Sequence, residues 1–157
     1  MHAQHDRSRS ATAPTESILV RGDDRASLSG AELLDFPAED RTVTVACASG
    51  TRHTATWTGV PVFDLFADVG LDDETTHLVV ESDDGYRVCI DVYDALDAVL
   101  AYARDGTSIG EEYDYETRFI APEIDGSRTV KGVRAVEACV LDPSTDPESL
   151  EDISKKP

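Results

Sequence analysis

The chain has 157 residues, enough for one domain with a sizeable core, and carries 32 acidic against 14 basic side chains for a net charge of -18. Only three of the basic residues are lysines, so the charge opposes binding to nucleic acid or to an anionic membrane surface, which need clustered Lys and Arg. The acids are interspersed with apolar periodic segments instead of forming one block, which points to a folded domain in a salt-rich, halophilic cytoplasm where counterions screen the self-repulsion.

No apolar run approaches the roughly 20 residues that span a bilayer. The first residues, Met1-His2-Ala3-Gln4-His5-Asp6-Arg7, hold neither an apolar signal core nor paired arginines, so a cytoplasmic location is expected. Cys47, Cys89 and Cys139 are far apart and odd in number, which argues against zinc pairs and a disulfide framework and for reduced thiols.

Residues 1–15 are polar and aperiodic and read as a disordered tail. A single domain is expected over 16–142, with an acidic flexible tail over 143–157. Ser17 to Val20 reads as a strand, and Ser29 caps a short helix that Pro37 ends. Val43, Val45 and Cys47 alternate with Thr44 and Ala46 along a strand from Arg41. The strand runs into the small-residue turn Ala48-Ser49-Gly50, and a partner strand follows from Arg52 to Trp57. Pro61 opens a helix bearing Val62, Phe63, Leu65, Phe66 and Val69, closed by Gly70. Thr76 to Glu81 and Tyr86 to Val92 form a hairpin about Asp83-Asp84-Gly85. Asp94 to Arg104 is predicted helical, Gly110 to Glu116 an acidic loop, and Arg118 to Ala121 a strand stopped by Pro122. Ala135 to Leu141 is the last strand. The class is α+β, with mixed sheets and hairpins and two or three short helices.

Cys47, at a strand mouth beside Arg52 and His53, fits a metal ligand, a nucleophile or a buried strand cysteine. The order of features from Cys47 onward resembles the molybdopterin-binding domain of the sulfite oxidase family. That family also holds assimilatory nitrate reductases and the catalytic subunit that reduces protein methionine sulfoxide. The resemblance is carried by Cys47 with its Ser49 turn, Arg52 and Trp57-Thr58-Gly59-Val60-Pro61, then by Asp84-Gly85-Tyr86-Arg87-Val88-Cys89-Ile90 with Asp94-Ala95-Leu96-Asp97. Leu100-Ala101-Tyr102-Ala103-Arg104-Asp105-Gly106 continues it. Arg118-Phe119-Ile120-Ala121-Pro122 and Gly126-Ser127-Arg128-Thr129-Val130-Lys131 complete it.

The resemblance implies that Cys47 ligates molybdenum and that Ser49, His53, Arg128 and Lys131 help hold the molybdopterin, the last two clamping it by fixed positive charge. It implies Arg52 and Tyr86 as the catalytic pair that orients a small oxyanion or sulfoxide for oxygen-atom transfer, with electrons exchanged through a separate partner. Three departures stand against this pattern. Only 46 residues precede Cys47, Tyr113-Asp114 replaces the family's histidine-glycine pair, and Glu123 follows the strand-ending proline. A binding or interaction module that keeps the fold without cofactor is the rival expectation. A Cys47–His53 nucleophile enzyme is the third.

Overall fold

The computed structural model describes residues 12–46, 49–122 and 124–153. Ten strands form two five-stranded sheets: β1 (Ile18–Arg21), β2 (Arg25–Leu28), β3 (Glu39–Ala46), β4 (Arg52–Pro61), β5 (His77–Ser82), β6 (Arg87–Asp91), β7 (Val99–Arg104), β8 (Thr107–Ser108), β9 (Arg118–Ile120) and β10 (Val133–Cys139). One sheet runs β2-β1-β10-β5-β6; the other runs β3-β4-β7-β8, with β9 also paired to β7. All pairings are antiparallel except β1 with β10. Helices are few and short: α1 (Gly30–Asp35), with its Ser29–Glu32 capping box, and α2 (Ile109–Glu112). The architecture is α+β, as expected.

The main core fills the space between the sheets: Ile18, Val20, Leu78, Val80, Val88 and Val136 from one side, Val60, Leu100, Tyr102 and Phe119 from the other. A second cluster, with Val43, Val45, Ala55, Trp57, Val99, Ala101, Ile109 and Ile120, covers the far face of the second sheet. Because β7 and β9 lie between the two clusters, both of their faces are buried.

That double burial corrects one expected element. The stretch from Asp94 to Arg104 is not a helix: residues 92–97 turn, and Val99–Arg104 is the central strand of the second sheet. A continuous apolar run buried on both faces has no two-residue alternation, so periodicity cannot separate it from a helix. Likewise, β4 extends through Pro61, and the helix expected there is a short 3-10 helix, Val62–Phe66. The expected acidic loop holds α2, and β2 was not anticipated, its sequence Arg-Ala-Ser-Leu being too short and polar to show alternation.

Both expected tails are partly tied down. Residues 1–11 and 154–157 lie outside the described residues, but the Thr12 amide donates to Ser108 Oγ at 2.7 Å and Thr15 donates to Glu116. At the other end a 3-10 helix, Pro147–Leu150, is capped by Asp146. Asp152 then pairs with Arg87 in both directions at 2.9 Å, closing the edge of β6. The acidic composition that reads as a tail is offset by the arginines it meets.

Candidate functional site

The β3–β4 hairpin carries the chain to Cys47, which lies with Ala48 outside the described residues; Glu123 does so too. In the hairpin Ala46 pairs with Arg52 and Val45 with His53. The two-residue period puts Arg52 on the face where Thr42 bonds Thr56 at 2.9 Å and Thr44 bonds Thr54 at 2.6 Å. His53 falls on the opposite face, with Val45 and Ala55. Both side chains are exposed, so these sequence neighbours address opposite sides of the strand. The Ser49 hydroxyl stays within its turn, 3.1 Å from Thr51 Oγ1.

A 3-10 turn, Gly126–Arg128, closes on the end of β3. A Cβ on Gly126 would stand 1.8 Å from the Ala46 carbonyl oxygen. Tyr86, 3% exposed, donates its hydroxyl to the Ser127 carbonyl. Burial raises the Tyr86 pKa against the opposing charge of Arg128, so the hydroxyl stays a donor. The residue expected to face substrate therefore anchors the turn.

Arg128 is engaged by carboxylates. Its Nη2 donates to Glu151 Oε1 at 2.7 Å, Nε to Glu151 Oε2 at 3.1 Å, and Nη1 to Asp125 Oδ2 at 3.2 Å. The bond to Glu151 is the largest cause raising the Arg128 pKa. The Ser127 hydroxyl, then Arg128, hold Asp125 below the ordinary carboxylate range. Glu151 Oε2 also accepts from the Cys89 amide at 2.9 Å.

Burial, with Cys139 and Glu151 nearby, pushes the Cys89 thiol up to about 11. A thiol raised from 9.0 to about 11 holds roughly a hundredfold less thiolate at pH 8. Maleimide labelling of Cys89 at pH 8, read by mass spectrometry, is expected to be slower than that of an unfolded control by at least this factor. The linkage sign follows: the protonated folded thiol contributes stability below its unfolded pKa, and the contribution is lost as pH rises towards about 11. Labelling as fast as in the unfolded chain would contradict this burial.

A second cluster of cations lies around two aromatic rings. The guanidinium carbons of Arg104 and Arg118 stand 5.6 and 5.5 Å from the Trp57 ring centroid, and Lys131 Nζ is 5.8 Å from that of Tyr115. Arg118 donates to the Thr129 carbonyl and hydroxyl at 3.1 and 2.8 Å and forms a β-bridge with Lys131. Burial raises the Tyr115 pKa, opposed first by Arg118. Trp57 is 3% exposed, and its Nε1 has no hydrogen-bond partner among the described residues.

Arg21, Arg41, Arg87 and Arg134 each meet a carboxylate at 2.8 to 3.8 Å. Among the described residues Arg104 and Lys131 have no such partner. An anionic, phosphate-bearing group fits the cations of this pole, Arg104 over Trp57 and Lys131 over Tyr115, which no carboxylate among the described residues neutralises. It does not fit Arg128 as placed, because three of that residue's donors are taken. Of the expected residues, only Lys131 joins this pole. Trp57 reads as core from sequence, Arg118 as a strand start and Arg104 as a helix residue. The signal for Arg104 was its cross-strand pairing with Trp57, which is legible only once β7 is a strand.

One mixed and one antiparallel sheet, with cations set over Trp57 and Tyr115, make a domain suited to an anionic cofactor. Residues 17–144 match the family described as the oxidoreductase molybdopterin binding domain, and the chain belongs to that family, whose cofactor is molybdopterin. It is similar to an uncharacterized oxidoreductase, YuiH, of Bacillus subtilis, at 23% identity over 70% of the chain and 57% of the relative. It is also similar to mouse mitochondrial sulfite oxidase, at 28% over 70% and 26% of the two chains, and to chicken sulfite oxidase, at 29% over 70% and 31%. The chain thus spans between about a quarter and somewhat over half of these relatives. The fold matches the sulfane dehydrogenase SoxCD from Paracoccus pantotrophus with a TM-score of 0.74 at 22% identity, over 83% of this chain and 39% of that one. No helix among the described residues is long and apolar enough to cross a membrane.

Proposed function

We infer that this domain serves oxygen-atom transfer on a small oxyanion or sulfoxide, with Cys47 as the protein ligand to molybdenum. The observation that carries the reading is the placement of Arg118 over Trp57 and of Lys131 over Tyr115, where Lys131 meets no carboxylate among the described residues. When bound, molybdopterin supplies a metal centre that cycles through two-electron oxygen transfer. The chain's own residues bind and orient. Lys131 and Arg118 neutralise the phosphate, Thr129 fixes the Arg118 fork, and the Cys47 thiolate supplies a soft donor. Arg52 and His53, exposed and without carboxylate partners among the described residues, are open to an oxyanion on either side of the β4 start. Tyr86 and Arg128 act at one remove, holding the Gly126–Arg128 turn against β3. Electrons pass through a separate partner in the cytoplasm of a halophile.

Capture of Arg128 by Glu151 and Asp125 favours a second reading, a binding module that keeps the fold without cofactor. Molybdenum analysis separates the two. Protein purified from its native host, or from a molybdopterin-competent strain, is expected to carry close to one molybdenum per chain, and Cys47→Ser to lose it while keeping its circular dichroism. Folded but metal-free wild-type protein from such a host would leave only the binding module.

A further inference from the structure

We propose that this chain self-associates through the free edge of β3, two copies pairing antiparallel about a two-fold axis at Val43. The inference stands apart from the cofactor reading, because it uses main-chain groups that reading does not involve.

The free edge follows from the ladder. β3 is an eight-residue strand paired on one side only, with β4. Thr56, opposite Thr42, turns its main chain away from β3: its amide donates to Asp105 Oδ1 at 2.8 Å, and its carbonyl accepts from the Asp105 amide at 2.7 Å. Thr42 and Thr56 are therefore a non-hydrogen-bonded pair, and the Thr42 N–H and C=O point outward, away from β4. By the two-residue period those of Thr44 do the same, and so do those of Asp40 and Ala46. The two outer positions are already met. The Asp40 carbonyl accepts from Arg41 Nη1 at 3.1 Å, and the Gly126 turn closes on the Ala46 carbonyl. Thr42 and Thr44 between them are exposed, and no hydrogen bond among the described residues reaches their outward main-chain groups. An exposed strand edge with open donors and acceptors is a template for another strand.

One antiparallel register uses these groups and no others. It sets Thr42 opposite the second copy's Thr44, and Thr44 opposite its Thr42, so that Val43 meets its own counterpart on the axis. The exposed threonines then join into one row, continuing the hydroxyl contacts that Thr42 and Thr44 make with Thr56 and Thr54 at 2.9 and 2.6 Å. Charge favours the same arrangement. The strand begins with Glu39 and Asp40 and ends at Ala46, which pairs with Arg52. In this register Asp40 of one copy lies opposite Ala46 of the other, two strand spacings or about 10 Å from Arg52. Opposite charges thus approach without contact and guide the register. No like charges are opposed, since Arg41 meets Val45. A two-fold axis uses each edge once, so assembly stops at the dimer.

The test is sedimentation velocity of the full-length chain in molar potassium chloride, which screens the repulsion between two chains of net charge -18. A concentration-dependent monomer–dimer equilibrium is expected. Thr44→Pro removes an N–H that β4 does not use, so the monomer should keep its circular dichroism. The variant deletes half of the bonds across the axis and should weaken the dimer about tenfold or more. Val43→Cys reads the register, because residues facing each other at such a pair stand about 4.5 Å apart at Cα, within reach of a disulfide. Mild oxidation should give a covalent dimer that the wild type, with its native cysteines, does not form. A wild-type chain that stays monomeric at its highest workable concentration overturns the proposal. So does folded Thr44→Pro that dimerises as the wild type does, or a Val43→Cys dimer that does not cross-link. If Thr44→Pro fails to fold, cross-linking of Val43→Cys decides alone.

Discussion

Gly126→Val is expected to lower stability by about 1–3 kcal/mol and to strip molybdenum from protein made in a competent host. The glycine is not needed for backbone freedom, since its Cβ would simply have nowhere to go. It would stand 1.8 Å from the Ala46 carbonyl oxygen and 3.0 Å from the carbonyl carbon. These are main-chain atoms of β3 and cannot rotate aside, so either the strand end or the turn must move. The strand end leads directly to Cys47, and the turn holds Ser127, on which Tyr86 closes, and Arg128, on which Glu151 closes. Either movement shifts the strand end that leads to Cys47, the proposed molybdenum ligand. A loss of about 2 kcal/mol lowers the melting temperature of a domain this size by about 4–8 °C. Gly50→Ala is the control: its φ of 89° imposes strain, but nothing lies within 4 Å of its Cβ, so its cost is confined to about 1–2 kcal/mol. Gly126→Val protein that melts with the wild type and retains its metal would show that the turn does not support the Cys47 end.

These residues also show what the sequence does and does not disclose. Alternation along Val43-Thr44-Val45 is a local signal, and the strand and its buried face follow from it. So does the β5–β6 hairpin, where a glycine turn joins two alternating runs. The reading failed at β7, because Val99-Leu100-Ala101-Tyr102-Ala103 is apolar on both faces and alternation is erased where burial is complete. The misreading then carried forward: with residues 94–104 taken as a helix, Arg104 falls on its surface and its pairing with Trp57 cannot be seen. The family was legible as an order of motifs, and the same order singled out Lys131, which the structure sets over Tyr115. It was not legible as a charge map. Glu151 meets Arg128 across 23 residues, and no local pattern announces such a pairing, least of all from a segment whose composition reads as a solvated tail.

Arg128→Ala is expected to cost about 3–5 kcal/mol, more than Glu151→Ala, because the two partners are buried unequally. Glu151 is 6% exposed at its side chain against 27% for Arg128. Removing the arginine strands a carboxylate away from water with only the Cys89 amide as donor. Removing Glu151 leaves Arg128 with Asp125 and partial hydration. In a double-mutant cycle read by urea unfolding, the pair should couple by about 1.5–3 kcal/mol. Because the pair is shielded, molar potassium chloride should leave most of that coupling intact. By contrast, the half-exposed Arg21–Glu137 pair at 3.7 Å should contribute about 0–1 kcal/mol and fade with salt. The size of this coupling bears on function. A cofactor phosphate can recruit Arg128 only by displacing Glu151 and exposing the contact that secures the C-terminal segment to β6. Strong coupling therefore assigns phosphate binding to the cations around Trp57 and Tyr115 and makes Arg128 a residue that positions the turn. Coupling near zero would return Arg128 to the cofactor.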